Sequence, residues 1–267
     1  MKEIPNNIYK YRAFDQNNYY ENLISKNELF FSSPNKFNDP FDCKVVPNYE
    51  IGTDDDMFKL FLWYVENDHP NLSKQGQLKI AQKNYSDNLN ILKSPELFSR
   101  RIEKIINNMF GVCSFSEDKS NLLMWAHYSN CHQGFCVEYN APRLFSVCLD
   151  YMKINELILI EQVKYSKNYP IINPYKINSP DELINWIIAK SIDWEYEKEW
   201  RLIYNFHPNT ILTFNDDIMT SIYFGVHCSE TNIEKIRKLV QHKINKPKLF
   251  KAILKRYEFG IEFQDIY

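Results

Sequence analysis

Glu197, Glu199 and Arg201 alternate through the run Asp193-Trp194-Glu195-Tyr196-Glu197-Lys198-Glu199-Trp200-Arg201-Leu202-Ile203. If Lys198 to Tyr204 is extended, these three residues and Ile203 share one face of a strand, and Lys198, Trp200, Leu202 and Tyr204 share the other. Two carboxylates are costly to bury. Such a face looks into water, into a salt-bridge network, or into a site that uses the charge. Used structurally, Glu199 and Arg201 pair with cross-strand neighbours in a half-exposed sheet.

Other chemistry-bearing residues are scattered more widely. His127, Cys131, His132 and Cys136 lie close together, but their spacing matches no common zinc finger and Gly134 interrupts a continuous helix, so no metal site is expected. The six cysteines at 43, 113, 131, 136, 148 and 228 form no Cys-x-x-Cys and read as free, mostly buried thiols. His127 follows Leu123 and Met124 at helical spacing, at the edge of an apolar face, where a hydrogen-bonded structural histidine is commoner than a catalyst. The sequence holds no Gly-rich phosphate loop, no Gly-x-Ser-x-Gly and no His-Glu-x-x-His, which removes the usual NTPase, hydrolase and metalloprotease readings.

The elements that must position these groups are those of a mixed α and β protein. With 267 residues and 44% hydrophobic content the chain can bury a sizeable core. A net charge of −2 gives no global attraction to nucleic acid or anionic lipid. Eighteen Tyr and 18 Phe against only 6 Gly favour packed strands with amphipathic rings at clefts. No stretch approaches the ~20 apolar residues of a membrane span, and Met1 to Asn7 lacks an apolar leader run, so a cytoplasmic location without membrane contact is expected.

Alternation predicts strands over Ile8–Phe14, Leu29–Ser33, Val112–Ser116, Gly134–Tyr139, Glu161–Tyr165, Lys198–Tyr204, Ile218–Phe224 and within Lys248–Phe263. Helical spacing predicts helices over Asn17–Asn27, Asp55–Asn67, Lys74–Leu92, Pro95–Phe110, Leu122–Tyr128, Pro180–Ile192 and from Ser229 to about His242. Phe58, Leu62 and Val65 mark the expected buried stripe of the first inserted helix. The loop Pro34-Asn35-Lys36-Phe37-Asn38-Asp39-Pro40-Phe41-Asp42 is turn-rich, and reads either as a rigid Asx-turn loop or as a ligand loop. The chain is read as one domain over 1–267 with a helical insert at 54–110. Lys248, Lys251, Lys255 and Arg256 read as a solvated basic face.

Five segments together resemble an uncharacterised bacterial family, the domain of unknown function 2971. They are Tyr9-Lys10-Tyr11-Arg12, Leu29-Phe30-Phe31-Ser32 through Phe37-Asn38-Asp39-Pro40-Phe41, Cys113-Ser114-Phe115-Ser116, Met124-Trp125-Ala126-His127-Tyr128 with His132-Gly134-Phe135, and Trp194 to Arg201. The order of parts is also similar, more weakly, to the ADP-ribosyltransferase superfamily. That second resemblance implies an α+β fold of mixed, mostly antiparallel sheets. It also implies NAD as substrate, with a protein or nucleic-acid acceptor.

On that resemblance Lys10 or Arg12 holds NAD from the first strand, Ser32 lies on the second, and Glu199 stabilises the oxocarbenium-like ribose while Glu197 activates the acceptor. Tyr11, Asn38, Asp39, Trp125, His127 and Arg201 complete the candidate NAD-binding set, a guanidinium gripping pyrophosphate and rings flanking nicotinamide. Two other readings stay open. One is a non-catalytic module binding a peptide, nucleotide or small ligand in an aromatic cleft around Tyr11, Trp125, Trp194 and Trp200. The other is a metal-dependent nuclease using Asp39, Glu197 and Glu199 with Mg²⁺.

Overall fold

The computed structural model describes residues 4–15, 17–44, 46–48, 51–92, 95–152, 157–173, 175 and 180–266. In chain order the elements begin with β1 (Asn7–Arg12), α1 (Tyr19–Lys26), β2 (Glu28–Phe31) and β3 (Val46–Pro47). Three helices follow, α2 (Asp54–Asp68), α3 (Lys74–Leu92) and α4 (Pro95–Met109). Next come β4 (Phe110–Ser116), α5 (Leu122–Tyr128), β5 (Phe135–Asn140), α6 (Ala141–Met152), β6 (Ile158–Gln162), β7 (Lys164–Ser166), β8 (Ile171–Ile172), α7 (Pro180–Ile187) and β9 (Ala189–Ser191). The chain closes with β10 (Glu199–Asn205), β11 (Thr210–Thr213), β12 (Met219–Phe224), α8 (Glu230–Val240), β13 (Lys248–Leu254) and β14 (Ile261–Asp265). The fold is α+β with a large, mostly antiparallel sheet.

These elements form two compact units, the first from residues 1–37, 108–163 and 193–267, the second from 38–107 and 164–192. The first holds an eight-stranded sheet in the order β14-β13-β12-β5-β1-β4-β10-β6, in which β12 and β13 run parallel and every other neighbouring pair is antiparallel. Period-two alternation sends residues to two different faces. Ile8, Val137, Cys113, Phe115, Trp200, Leu202, Tyr204 and Ile222 face the larger core, which α1, α6 and α8 supply with Tyr20, Leu23, Ile24, Leu144, Cys148, Ile233 and Ile236. Tyr9, Tyr11, Cys136 and Tyr223 face the other way and pack with Met124 and Trp125 of α5. Burying a Leu- or Phe-sized side chain is worth about 1.5–3 kcal/mol, so a sheet covered on both faces is strongly held in its register.

The α5 helix begins where the Asn121 side chain accepts from the Leu123 and Met124 amides at 2.9 and 3.1 Å. It ends in an unusual turn, for Asn130, Cys131 and His132 all have positive φ, 49°, 50° and 63°. Two glycines let the chain pass this turn: a Cβ on Gly225 would lie 2.1 Å from the His132 carbonyl oxygen, and one on Gly134 2.1 Å from that of Arg12.

In the second unit α2 opens with a capping box, Thr53 accepting from the Asp56 amide and Asp56 from the Thr53 amide. Phe58 and Phe61 of α2 meet Tyr85 of α3 edge-on at 5.7 Å. The buried stripe of α2 is Met57, Leu60, Phe61, Tyr64 and Val65, rotated from the expected Phe58 and Leu62, which are half-buried. Positions 57, 60, 61, 64 and 65 form the wider apolar arc, and that arc takes the interior. Ile106 of α4 is buried. Short parallel pairs β3·β8 and β7·β9 and a buried Lys190–Asp42 ion pair at 3.7 Å complete the unit.

Three local differences from the sequence reading bear on the site. The helix expected to reach Ile192 stops at Ile187, because Ala189–Ser191 pairs with β7. Lys198 does not begin the next strand: its φ of 45° breaks the chain direction after a 3₁₀ segment over Ile192–Glu197, and β10 starts at Glu199. The helix α6, for which residues 141–152 gave no expectation, starts with Pro142 in its first turn, where a missing N–H costs nothing. All six cysteines are free, and all but Cys131 are buried.

Candidate functional site

The strand β10 sits between β4 and β6, with Glu199 opposite Ser116 and Arg201 opposite Ser114 and Glu161. Glu199 and Arg201 therefore point to the same face and grip each other bidentately. Arg201 Nε donates to Glu199 Oε1 at 2.8 Å and a terminal guanidinium nitrogen donates to Oε2 at 3.0 Å. Their residues are 4% and 0% exposed. The guanidinium also stands 5.3 Å above the Phe37 ring.

Glu197, 3% exposed, precedes the left-handed Lys198 and so is aimed by the 3₁₀ turn rather than by strand alternation. Its Oε1 accepts from the Tyr128 hydroxyl at 2.6 Å, and its backbone carbonyl accepts from the Ser116 hydroxyl at 2.6 Å. Asn121, the α5 cap, donates to the Tyr196 carbonyl at 3.0 Å. The start and end of α5 are thus both tied to the segment carrying the Glu-x-Glu pair. Around this junction lies a patch of rings in which the exposed His127 lies 6.2 Å from Trp194 and 6.4 Å from both Tyr196 and Tyr128, and Trp194 lies 5.9 Å from Tyr196.

The remaining sequence candidates divide. Tyr11 shares the face of Glu199; its hydroxyl donates to the Asp118 carbonyl at 2.5 Å and its ring meets Trp125 edge-on at 5.2 Å. Trp125 is wholly buried and donates its indole N–H to the Lys119 carbonyl at 2.8 Å, so it is a core residue with no surface to offer a ligand. Lys10 and Arg12 lie on the opposite face from Glu199. Lys10 Nζ donates to the Ser114 carbonyl at 3.0 Å and to Cys113 Sγ at 3.2 Å, and stands 5.0 Å above the Phe115 ring. The register accounts for this. Tyr9 pairs with Ser116, and Ser116 with Glu199, so the neighbours of Tyr9 must point away.

Ser32 forms an isolated bridge with Val112 and donates its hydroxyl to the Ser33 carbonyl at 3.2 Å. Trp200, proposed as a cleft ring, is packed in the larger core. Asn38 and Asp39 belong to the second unit. There Asn38 is exposed, and Asp39 is buried with Oδ1 accepting from the Phe41 amide at 2.9 Å, the Asx-turn geometry of a rigid loop. Among the described residues no group of three or more His, Cys, Asp or Glu is gathered as a metal ion would need.

A polar centre that the sequence reading passed over lies on the same sheet face. Glu138 of β5 accepts from Thr220 Oγ1 at 2.7 Å, Ser221 Oγ at 3.1 Å and the Tyr223 hydroxyl at 2.9 Å, with Lys119 Nζ 3.8 Å away. Burial pushes its carboxyl up, but the three hydroxyl donors and the ammonium outweigh this and hold it below its ordinary value. Burial first, and then the Glu138 charge and hydrogen bond, push the Tyr9 phenol well up and keep it neutral. Tyr223 is raised as well, by burial and then by its hydrogen bond to Glu138. Residue by residue across five strands, Ser221, Glu138, Tyr9, Ser116 and Glu199 form one transverse row of register partners. The signal in the sequence was a single Glu inside an otherwise apolar strand, Phe135-Cys136-Val137-Glu138-Tyr139.

Among the described residues no helix is long and apolar enough to cross a membrane. No curated protein and no solved structure matches the chain. Residues 124–202 match a family described as a protein of unknown function (DUF2971), a segment that runs from α5 into β10 and includes Tyr128, Glu138, Trp194, Glu197, Glu199 and Arg201. The family resemblance read from the motifs is borne out over that segment.

Proposed function

We propose that the chain is an ADP-ribosyltransferase-like enzyme that cleaves the nicotinamide–ribose bond of NAD and passes the ADP-ribosyl group to a macromolecular acceptor at the Glu197–Glu199 centre. The observation that carries this reading is the 2.6 Å hydrogen bond from Tyr128 to Glu197, which joins the Glu-x-Glu segment to a patch of rings suited to a planar base. Glu199, kept in one orientation by two hydrogen bonds from Arg201, supplies fixed negative charge where the ribose becomes cationic. Glu197 takes the acceptor proton, and His127, Trp194 and Tyr196 stack on the nicotinamide or adenine ring. The grip on the pyrophosphate falls to the half-exposed Lys198, which is 3.5 Å from Asp118, and not to Lys10 or Arg12, which face the other side of the sheet.

A second reading, a non-catalytic module for a nucleotide-like ligand, is favoured by the bidentate pair itself, because both Glu199 oxygens are already engaged. One experiment separates the two. Purified protein is incubated with NAD labelled in the nicotinamide, with total bacterial protein and nucleic acid as acceptors. The enzyme reading expects released nicotinamide that Glu199→Gln reduces at least about a hundredfold, the scale of removing one electrostatic stabiliser. No release, combined with an NAD-induced rise in melting temperature that Trp194→Ala removes, establishes the binding module instead. Neither release nor a thermal shift refutes both.

A further inference from the structure

We propose a second site on the same sheet face: a cage for a methylated or quaternary ammonium ion, built from Tyr9, Tyr223, Phe263 and Glu138 and held closed by Lys119. The observation is what surrounds the Lys119 ammonium. It stands 4.6 Å from the Tyr223 ring centroid, 5.7 Å from that of Tyr9 and 5.8 Å from that of Phe263. It donates to the Tyr223 hydroxyl at 3.0 Å and lies 3.8 Å from Glu138 Oε2. Three rings within about 6 Å of one cation is more than charge neutralisation requires, since a carboxylate is neutralised by any nearby basic group.

Tyr9, Glu138 and Tyr223 are more deeply buried than Lys119. Tyr9, Glu138 and Tyr223 are buried side chains on three adjacent central strands, β1, β5 and β12, and Glu138 is fixed by the hydroxyls of Thr220, Ser221 and Tyr223. Lys119 lies in the turn between β4 and α5, and its side chain is 34% exposed. A primary ammonium is strongly hydrated and gives up much on entering such a box. An ammonium sheathed in methyl groups keeps the charge, loses less water and presents carbon to the ring faces. Such a cation meets the rings and Glu138 through its methyl groups once the Lys119 ammonium and its hydrogen bond to Tyr223 have left. Lys119 competes only because its tether keeps it at high local concentration. None of the cage residues belongs to the Glu197–Glu199 centre, so the proposal stands whether or not NAD is turned over.

Choline and its neutral isostere 3,3-dimethylbutan-1-ol are the probes, titrated calorimetrically into the full chain and into Lys119→Ala. Removing the plug is expected to tighten choline binding at least about tenfold, with the isostere at least about tenfold weaker than choline, the ratio that one to two kcal/mol of cation–π attraction gives. A trimethyl-lysine peptide run beside choline tells a protein-borne cation from a free one by which binds more tightly. The unaltered protein gives an independent reading that does not depend on how the variant folds: choline should displace Lys119 and raise its rate of amine acylation, read by mass spectrometry, while the isostere should not. Equal binding of choline and the isostere to Lys119→Ala overturns the proposal. So does Lys119 labelling that is indifferent to choline.

Discussion

Arg201 and Glu199 are two residues apart on one strand, and their side chains satisfy each other inside the protein. A buried pair of this kind is expensive to break from one side, because the survivor keeps its charge and loses its partner. Arg201→Leu should therefore lower stability by about 3–5 kcal/mol in denaturant titrations, well beyond the cost of a typical surface change. That the two share a face was legible in the sequence, since alternation places positions 199 and 201 together; that they pair with each other in the interior, and not with cross-strand neighbours in a half-exposed sheet, was not. The Glu138 cluster was not, because its hydroxyl donors come from a strand some eighty residues away and only register brings them opposite. Its depressed carboxyl has a measurable consequence. A folded-state pKa below the unfolded one adds stability above the unfolded pKa, and that contribution disappears as pH falls through the folded value. Between about pH 5 and pH 3 the unaltered protein should lose stability more steeply than Glu138→Gln, measured as urea midpoints across pH, and equal slopes would contradict the assignment.

At the scale of elements, α5 reaches β5 through three consecutive left-handed residues, and the space for that turn exists only because positions 134 and 225 lack a Cβ. Gly225→Ala puts a methyl 2.1 Å from the His132 carbonyl oxygen, where backbone rather than a flexible side chain must yield. The expected cost is on the order of 1–3 kcal/mol, with a matching fall in melting temperature. Alanine at Gly76, whose nearest contact is the Ser73 hydroxyl at 3.4 Å, should instead be neutral or slightly stabilising within α3. A thermal melt of both variants checks the contrast. Such a turn is hard to foresee, because Asn-Cys-His carries no glycine where φ is positive; the glycines stand on the chains that pass the turn. The helix α6 escaped notice for a different reason, since Pro142 reads as a breaker unless its place in the first turn is known. By contrast α5 and α3 were legible to the residue from helical spacing.

Across the whole molecule, the strands of the eight-stranded sheet could be read from the sequence, unlike the short β3, β8, β9 and β11, but their order could not, because alternation reports which residues share a face and says nothing about which strand lies beside which. The order matters most between β1 and β4. β5 pairs with β1 along the whole length of both strands, from Asn7–Asn140 to Arg12–Phe135, whereas β1 meets β4 at Tyr9 and Ser116. That is the one register pair between these two strands, and beside it the Lys10 ammonium donates to the Ser114 carbonyl at 3.0 Å. The sheet is thus two well-paired blocks, β14-β13-β12-β5-β1 and β4-β10-β6, joined at a narrow seam in the middle of the row that carries Glu138, Tyr9, Ser116 and Glu199. Glu138 and Glu199 are three strand spacings apart, about 14 Å, one on each side of the seam. Local opening follows hydrogen-bond continuity rather than distance from the sheet edge. Native-state hydrogen exchange should show the slowest amides in β5 and β12, with those of β1 and β4 that face the seam exchanging at a lower opening free energy despite their central position. Lys10→Met, which removes the side-chain bridge but keeps its apolar stem, should lower that opening free energy further while leaving β5 unchanged. Equal protection on both sides of β1 would mean that the sheet opens as one cooperative body and that the seam has no mechanical significance.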